Sequence, residues 1–342
     1  MLVVDDGSPD AIVSRTAQAF QAEVLRLESR RGFCVACNAG VQQARGEVVQ
    51  LLNDDTEVCA GWVQAALHPF ADARIAAVSP LVLLGPPGTH CPERIDSAGD
   101  IYYRAGFAAK RGHGRSIAPK YLQSAEVFGA SGSAAFFRRD AFLRVGGLPE
   151  EFTAYFDDVD LSFRLRRAGY RIWYEPASRV YHRVHSSYGR PHDDLLAQQS
   201  RNEELVFWRN LTAGELIWAV PMHLCVLIAK AMRRLAEGQL SPWLRGRWQA
   251  LSCWRAILYH RHRLARREFQ SLIFTDCRSA KMVRTSLEPE IALAQESPGL
   301  IFSEGSSTIG TKVRVQVNHR KEFTHDFASD AAISAVANQS YR

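Results

Sequence analysis

Three short acidic clusters hold most of the residues that could do chemistry. Asp5-Asp6-Gly7-Ser8 follows the apolar run Leu2-Val3-Val4, and Asn53-Asp54-Asp55-Thr56 follows Val48-Val49-Gln50-Leu51-Leu52. Asp157-Asp158-Val159-Asp160 opens a stretch with helical periodicity. Ends of strands are where open α/β sheets bind ligands. The first cluster can accept hydrogen bonds from a nucleobase or ribose, or can serve only as a turn and helix cap. The second can hold Mg2+ or Mn2+, which take a few carboxylates plus substrate phosphates, or can be a surface turn. The third suits a general base whose pKa is set between helix dipole and desolvation, although acids in a first helical turn are favoured by the dipole alone. His182 closes the run Arg179-Val180-Tyr181, and as a lone His it reads either as a metal ligand or as a satisfied polar residue. Arg183 and His185 make that spot basic, which suits a diphosphate.

The elements that must carry these clusters alternate in type. Residues 2–4, 24–27, 48–52 and 75–82 read as strands, and 10–20, 32–44 and 60–68 as helices. Such alternation predicts an α/β sheet covered on both faces. Residues 85–123 are rich in Gly and Pro, a long excursion of the kind that shapes a site. Order returns at Val127–Phe137, a helix starts near Asp140, and another spans about 158–168 before the stop at Gly169. Residues 171–174 and 178–182 read as strands.

The 342 residues, 46% hydrophobic and 23% charged, describe a globular chain and exclude collagen-like, low-complexity and wholly disordered classes. The net charge of +6 is local. Residues 230–268 hold ten Lys and Arg against two acids, so the remainder is slightly negative. No recognition motif accompanies that charge, which argues against nucleic acid as a partner. Seven scattered cysteines give no disulfide framework, and the lone Cys34-x-x-Cys37 pair in an Ala-rich run reads as helix interior. Met1-Leu2-Val3-Val4 has no basic n-region of a signal peptide. A reducing, cytoplasmic setting is expected.

Taken together, the clusters resemble the family 2 glycosyltransferases, most closely their rhamnosyltransferase-like members that build bacterial surface polysaccharides. The resemblance rests on six blocks in order: Val3-Val4-Asp5-Asp6-Gly7-Ser8, Arg31-Gly32-Phe33 with Asn38, Leu51 to Thr56, Asp96-Ser97-Ala98-Gly99, Gly129-Ala130-Ser131-Gly132 leading to Phe137-Arg138-Arg139, and Tyr155 to Gly169. It implies a GT-A fold with a mostly parallel, Rossmann-like sheet, a nucleotide-sugar donor (a dTDP- or UDP-sugar, with rhamnose as the sugar the subgroup suggests) and Mg2+ or Mn2+. By position, Asp6 would meet the base or ribose with Asp5 beside it, Arg31, Asn38 and Asp54 would line the nucleotide site, and Asp55 would bind the metal. Asp158 matches the catalytic base, with Asp157 standing where relatives carry Glu. His182 would approach the metal and diphosphate, and Gly129 would support the acceptor side. The chemistry implied is inverting transfer to a hydroxyl of a polysaccharide or lipid-linked acceptor.

Relatives place a further strand and a Pro-x-Tyr-Asn-like turn before the strand that ends in Asp-Asp-Gly-Ser, so the sheet is expected to lack a central strand beside residues 2–5. Such a chain could fold with a gap, borrow a strand from elsewhere, or be an inactive nucleotide-sugar-binding remnant, the alternative that this expectation raises. A Rossmann oxidoreductase is disfavoured, because no G-x-G-x-x-G follows the first strand. The expected organisation is a catalytic domain over 1–200, a helical basic segment over 201–269 and a loosely ordered tail over 270–342. Leu216–Ala229 is apolar but interrupted by Pro221 and His223, too short to cross a bilayer comfortably. With Trp243, Trp248 and Trp254 interleaved with arginines, the middle segment reads either as an ordinary helical subdomain or as a contact with the anionic inner face of the cell membrane.

Overall fold

Short β-branched runs ended by turn residues become the strands, and the longer periodic stretches between them become helices. The structure, a computed structural model, describes residues 1–88, 92–183, 192–265 and 314–318. In chain order the elements are β1 (Leu2–Asp5), α1 (Ile12–Ala19), β2 (Glu23–Arg26), α2 (Phe33–Gln43), β3 (Val48–Asn53), β4 (Thr56–Val58), α3 (Trp62–Leu67), β5 (Ile75–Leu84), β6 (Ile95–Ser97), β7 (Asp100–Tyr103), β8 (Phe107–Lys110), β9 (Ala125–Glu126), β10 (Phe136–Arg138), α4 (Arg139–Arg144), α5 (Asp157–Arg167) and β11 (Arg171–His182). Four helices follow, α6 (Asp193–Asn210), α7 (Ala213–Ala236), α8 (Leu240–Ser252) and α9 (Trp254–Ala265), and then β12 (Arg314–Asn318).

The main sheet runs β2-β1-β12-β3-β10-β5-β11-β4. The half from β2 to β3 is parallel throughout. β10 is antiparallel to both its neighbours, and β11 pairs β5 in parallel and β4 antiparallel. The expected α/β class holds, with a sheet more mixed than the alternation implied. The chain enters β4 from β3 and β10 from β9 with no α-helix between, whereas parallel neighbours are joined by such crossovers.

The expected empty slot is not what the sheet shows. β12 lies between β1 and β3, with Leu2 opposite Val315 and Leu51 opposite the same residue on the other side. The inner ladder groups of β1 and β3, which would otherwise be buried without partners at about 1–3 kcal/mol each, are paired. The strand comes from the part of the chain expected to be a loose tail. Its Val313-Arg314-Val315-Gln316-Val317 alternation is a strand pattern, and the facing edges of β1 and β3 give it a place to pair.

Both faces of the sheet are covered. Leu2, Val4, Leu51, Ala77, Leu81 and Leu83 join the large core with α2, α4 and α5, where Tyr102, Phe128 and Phe163 meet with ring centroids 4.6–5.4 Å apart. Val3 turns the other way to Val13 and Ala17 of α1, and Val78 and Phe136 meet Ala66 beside α3. Cys34 and Cys37 are fully buried in α2, free thiols whose pKa values burial raises, as the helix-interior reading requires.

The helical region departs from expectation at both ends. α6 crosses residue 200 and belongs structurally to the catalytic half, because Asn202 and Gln198 bond the turn before α5. α7 continues through Pro221 to Ala236, starting from a capping box between Thr212 and Glu215. At 24 residues it is long and apolar enough to cross a membrane by length and composition, unlike the shorter run read from sequence.

Candidate active site

β11 ends at His182, and its antiparallel register with β4 sets His182 opposite Thr56. That pairing brings the imidazole to the turn after β3. His182 Nε2 lies 3.2 Å from an oxygen of Asp55, and Nδ1 lies 2.9 Å from Asp96 at the edge strand β6. Asp96 in turn accepts from Lys110 Nζ at 2.9 and 2.8 Å through both oxygens, and one oxygen lies 3.2 Å from His113 Nδ1. Burial alone would lower the His182 pKa, but its bonds to Asp55 and Asp96 outweigh that and carry it up to about 9. Burial would likewise raise Asp96, yet Lys110, His113 and His182 hold it well below the usual carboxylate range.

The residues fit a hard divalent cation. Asn53 Oδ1 is buried without a hydrogen-bond partner among the described residues, next in sequence to the Asp54-Asp55 pair. Asp54 and Asp55 are themselves buried. His182 has the arrangement common in metal ligands, one ring nitrogen facing outward to Asp55 and the other fixed by a second carboxylate. Among the described residues no group of three or more His, Cys, Asp or Glu side chains could hold a metal ion without other ligands. An open set is what Mg2+ or Mn2+ uses when substrate phosphates and water complete its shell.

The second half of the site is the start of α5. Asp158 Oδ2 accepts the Gly132 N–H at 2.9 Å and Oδ1 its neighbour's, Val159, at 2.8 Å. Burial raises the Asp158 pKa, while those two N–H groups and Lys110 work against the rise. The outcome is a carboxylate poised upward, as a general base requires. Asp157 is buried and raised further, by burial first and then by Asp158. Asp100 is also raised by burial and by Asp158, and its Oδ2 has no hydrogen-bond partner among the described residues. Gly129 lets α5 approach: a Cβ there would stand 2.7 Å from Ser162 Oγ, whose hydroxyl donates to the Asp158 carbonyl.

The turn that aims Asp158 is strained. Thr153, Tyr155 and Phe156 all have positive φ, at 65°, 69° and 63°, a conformation costly for non-glycine residues and concentrated at functional sites. It is held from α6, where Asn202 Nδ2 reaches the carbonyls of Phe152, Ala154 and Tyr155 at 2.9–3.0 Å.

The remaining expected residues divide. Asp6 accepts the N–H groups of Arg31 and Gly32 at 2.7 and 2.8 Å, so it shapes the 31–32 loop, while the Arg31 side chain is exposed. Asp5 is buried against the Ser8 N–H at 2.9 Å, Ser14 and Arg26. Asn38 bonds the Leu148 N–H and carbonyl and Glu150, tying α2 to the loop before α5. It lines a cavity of about 390 Å3 with Arg164, Arg209 and His260, which none of the other expected site residues lines. Sequence reasoning assigned no role to Lys110, His113, Asp100 or Asn202. Asp96 stood inside a recognised block, but nothing in one sequence says that a lysine from the Gly-rich excursion, or an asparagine from α6, returns to it.

Several known proteins are similar to parts of this chain. Residues 1–146 match the model of glycosyl transferase family 2. A protein of Sinorhizobium fredii without assigned function is 32% identical over 219 residues, 59% of this chain, of which the chain spans 23%. The N-acetylglucosaminyl-diphospho-decaprenol L-rhamnosyltransferase of Mycobacterium tuberculosis is 26% identical over 269 residues, 70% of this chain and 87% of that one. Among solved structures, GalNAc-T7 with UDP, GalNAc and Mn2+ superposes on 60% of this chain and 41% of its own, at 17% identity and a TM-score of 0.47. Over residues 1–146 the chain is thus similar to glycosyl transferase family 2.

Proposed function

We propose that the chain moves a sugar, rhamnose in the leading reading, from a nucleotide-diphosphate donor (dTDP or UDP) to a hydroxyl of a saccharide or lipid-linked acceptor, with inversion. The observation that carries the reading is one continuous polar chain, Asp55–His182–Asp96–Lys110, that reaches the field of Asp158. It joins the site for a leaving diphosphate to the site for a base. Asp158 takes the acceptor hydroxyl proton as that oxygen attacks the anomeric carbon, so no covalent enzyme intermediate is needed. Gly132 and Val159 fix both of its oxygens, which sets the direction of proton transfer. Lys110 lends positive charge beside the carboxylates when a dianionic leaving group forms. Asp55 and His182, with Asn53, would hold Mg2+ or Mn2+, which when bound supplies Lewis-acid neutralisation of the diphosphate.

The mycobacterial relative's name includes a lipid-linked substrate, which supports that acceptor class. The inactive-remnant alternative lost its motive when β12 filled the sheet. The test is transfer or donor hydrolysis by the full chain with a panel of nucleotide sugars, with and without EDTA. Asp158→Asn is expected to abolish turnover while donor binding, read by thermal shift, persists. Full turnover in that variant would remove the base assignment.

A further inference from the structure

α7 is turned inside out relative to a helix of a water-soluble protein. Its polar residues face the protein. Glu215 binds Arg167 of α5, His223 is buried between the Ala105 carbonyl at 2.9 Å and Glu204, and Lys230 binds Glu203. Its apolar residues face outward: Ile217, Trp218, Leu224, Ile228, Met232 and Leu235 are 54–72% exposed. An amphipathic helix on an aqueous surface shows the opposite order. The outward stripe runs the length of the helix, about 36 Å at 1.5 Å per residue. α8 and α9 carry exposed apolar side chains of their own, Trp248, Leu251, Trp254 and Leu258, all more than half exposed. An exposed apolar stripe as long as that of α7 marks a contact with something apolar.

We propose that the outward face of α7, α8 and α9 seats on one leaflet of an anionic lipid bilayer, with α7 lying in the plane of the interface. Three features select a bilayer over a protein partner. The three indoles of Trp218, Trp248 and Trp254 are the side chains that collect at the level of lipid headgroups. Lys230 and Arg247 are used inside the fold by Glu203 and Glu204, but Arg255 is exposed and rides over the Trp254 ring at 5.4 Å, a cation beside an exposed indole that suits an anionic headgroup. Finally, α7 cannot cross the membrane while its inward side is bound to α5 and α6 through Glu215, His223 and Lys230, so it lies along the surface. The inference deepens the proposed function, since an enzyme held on the leaflet meets a lipid-linked acceptor there. Its test reads lipid binding without any sugar transfer, so the two readings fail separately.

The experiment is flotation of the full chain with vesicles of phosphatidylcholine alone and of phosphatidylcholine with 30% phosphatidylglycerol, together with tryptophan emission. Co-flotation with the anionic vesicles, reduced severalfold in 0.5 M NaCl, and a blue shift of emission are expected. The variant Trp218→Ser/Ile228→Ser/Met232→Ser changes only exposed side chains and should keep its circular dichroism and melting temperature while the bound fraction falls at least tenfold. Failure of the parent chain to float, or equal binding by the triple variant, overturns the proposal. So does a concentration-dependent dimer that the triple variant abolishes without any lipid binding, which would assign the face to a second copy. Resistance of the bound chain to alkaline carbonate extraction would overturn the in-plane placement.

Discussion

Two buried charge networks, one at the ends of β3, β6 and β11 and one between α6, α7 and α8, use the same residue types but are balanced differently. In the helical network Glu203 and Glu204 meet Lys230 and Arg247, with His223 and Trp208 completing Glu204. Two carboxylates face two permanent cations. In the sheet-end network Asp96, Asp100 and Asp158 share the field of Lys110, Asp157 adjoins Asp158, and Asp55 meets His182, with His113 and His182 charged only when protonated. That side holds an excess of negative charge, three raised carboxyls and oxygens without hydrogen-bond partners among the described residues. A balanced buried network locks elements together, whereas an unbalanced one costs stability unless something else completes it. The comparison separates architecture from function more sharply than residue type does.

It can be broken from either side. The largest effect is expected at the open network, where Asp158→Asn should lower turnover by roughly 10²–10⁴-fold, the range of a lost general base, with little change in melting temperature. The closed network should respond the other way. Arg247→Met leaves Glu203 and Glu204 short of a buried partner and should destabilise the fold by about 3–5 kcal/mol in urea unfolding, whatever the assay for transfer reads. A smaller effect is expected for Asp96→Asn, which loosens the orientation of His182. Titration with Mn2+ should then show an affinity lower by about 10–100-fold, the usual cost of removing such a supporting carboxylate.

The last is a pH effect, confined to acid conditions. Burial would raise Glu203, but Lys230 and Arg247 outweigh it and bring its pKa down to about 2 from the ordinary 4.5. A depressed folded-state pKa contributes stability that is full above 4.5 and is lost as the pH falls through 2. The loss should be about 3 kcal/mol over that window, and Glu203→Gln should flatten the melting-temperature profile there. An unchanged profile would show that the helical network is not closed in the sense drawn above.

Much of the site was legible because its residues sit in short motifs. Asp55 and Asp158 are flanked by apolar runs whose ends fix where they stand, and His182 closes a strand pattern. Asp96, Lys110 and His113 were less legible, since a Gly-rich excursion has no period that tells which residues return to the sheet. Asn202 was invisible, because a helix residue that bonds three carbonyls of a distant turn looks like any polar surface position. β12 is the clearest case of missing information. Five residues with a plain alternation could pair anywhere, and only the unpaired edges of β1 and β3 give them a place.

The sequence by itself determined the α/β class, the three acidic clusters, the family they resemble and the concentration of positive charge after residue 230. These depend on local propensity and short spacing, which a single chain displays directly. Only the tertiary structure decided which carboxylates share a field, that the sheet is completed by residues 314–318, and that α7 presents its apolar side outward. Helical periodicity shows that a helix has two faces. Which face turns inward depends on partners such as Arg167, Glu203 and Glu204, and these lie elsewhere in the chain.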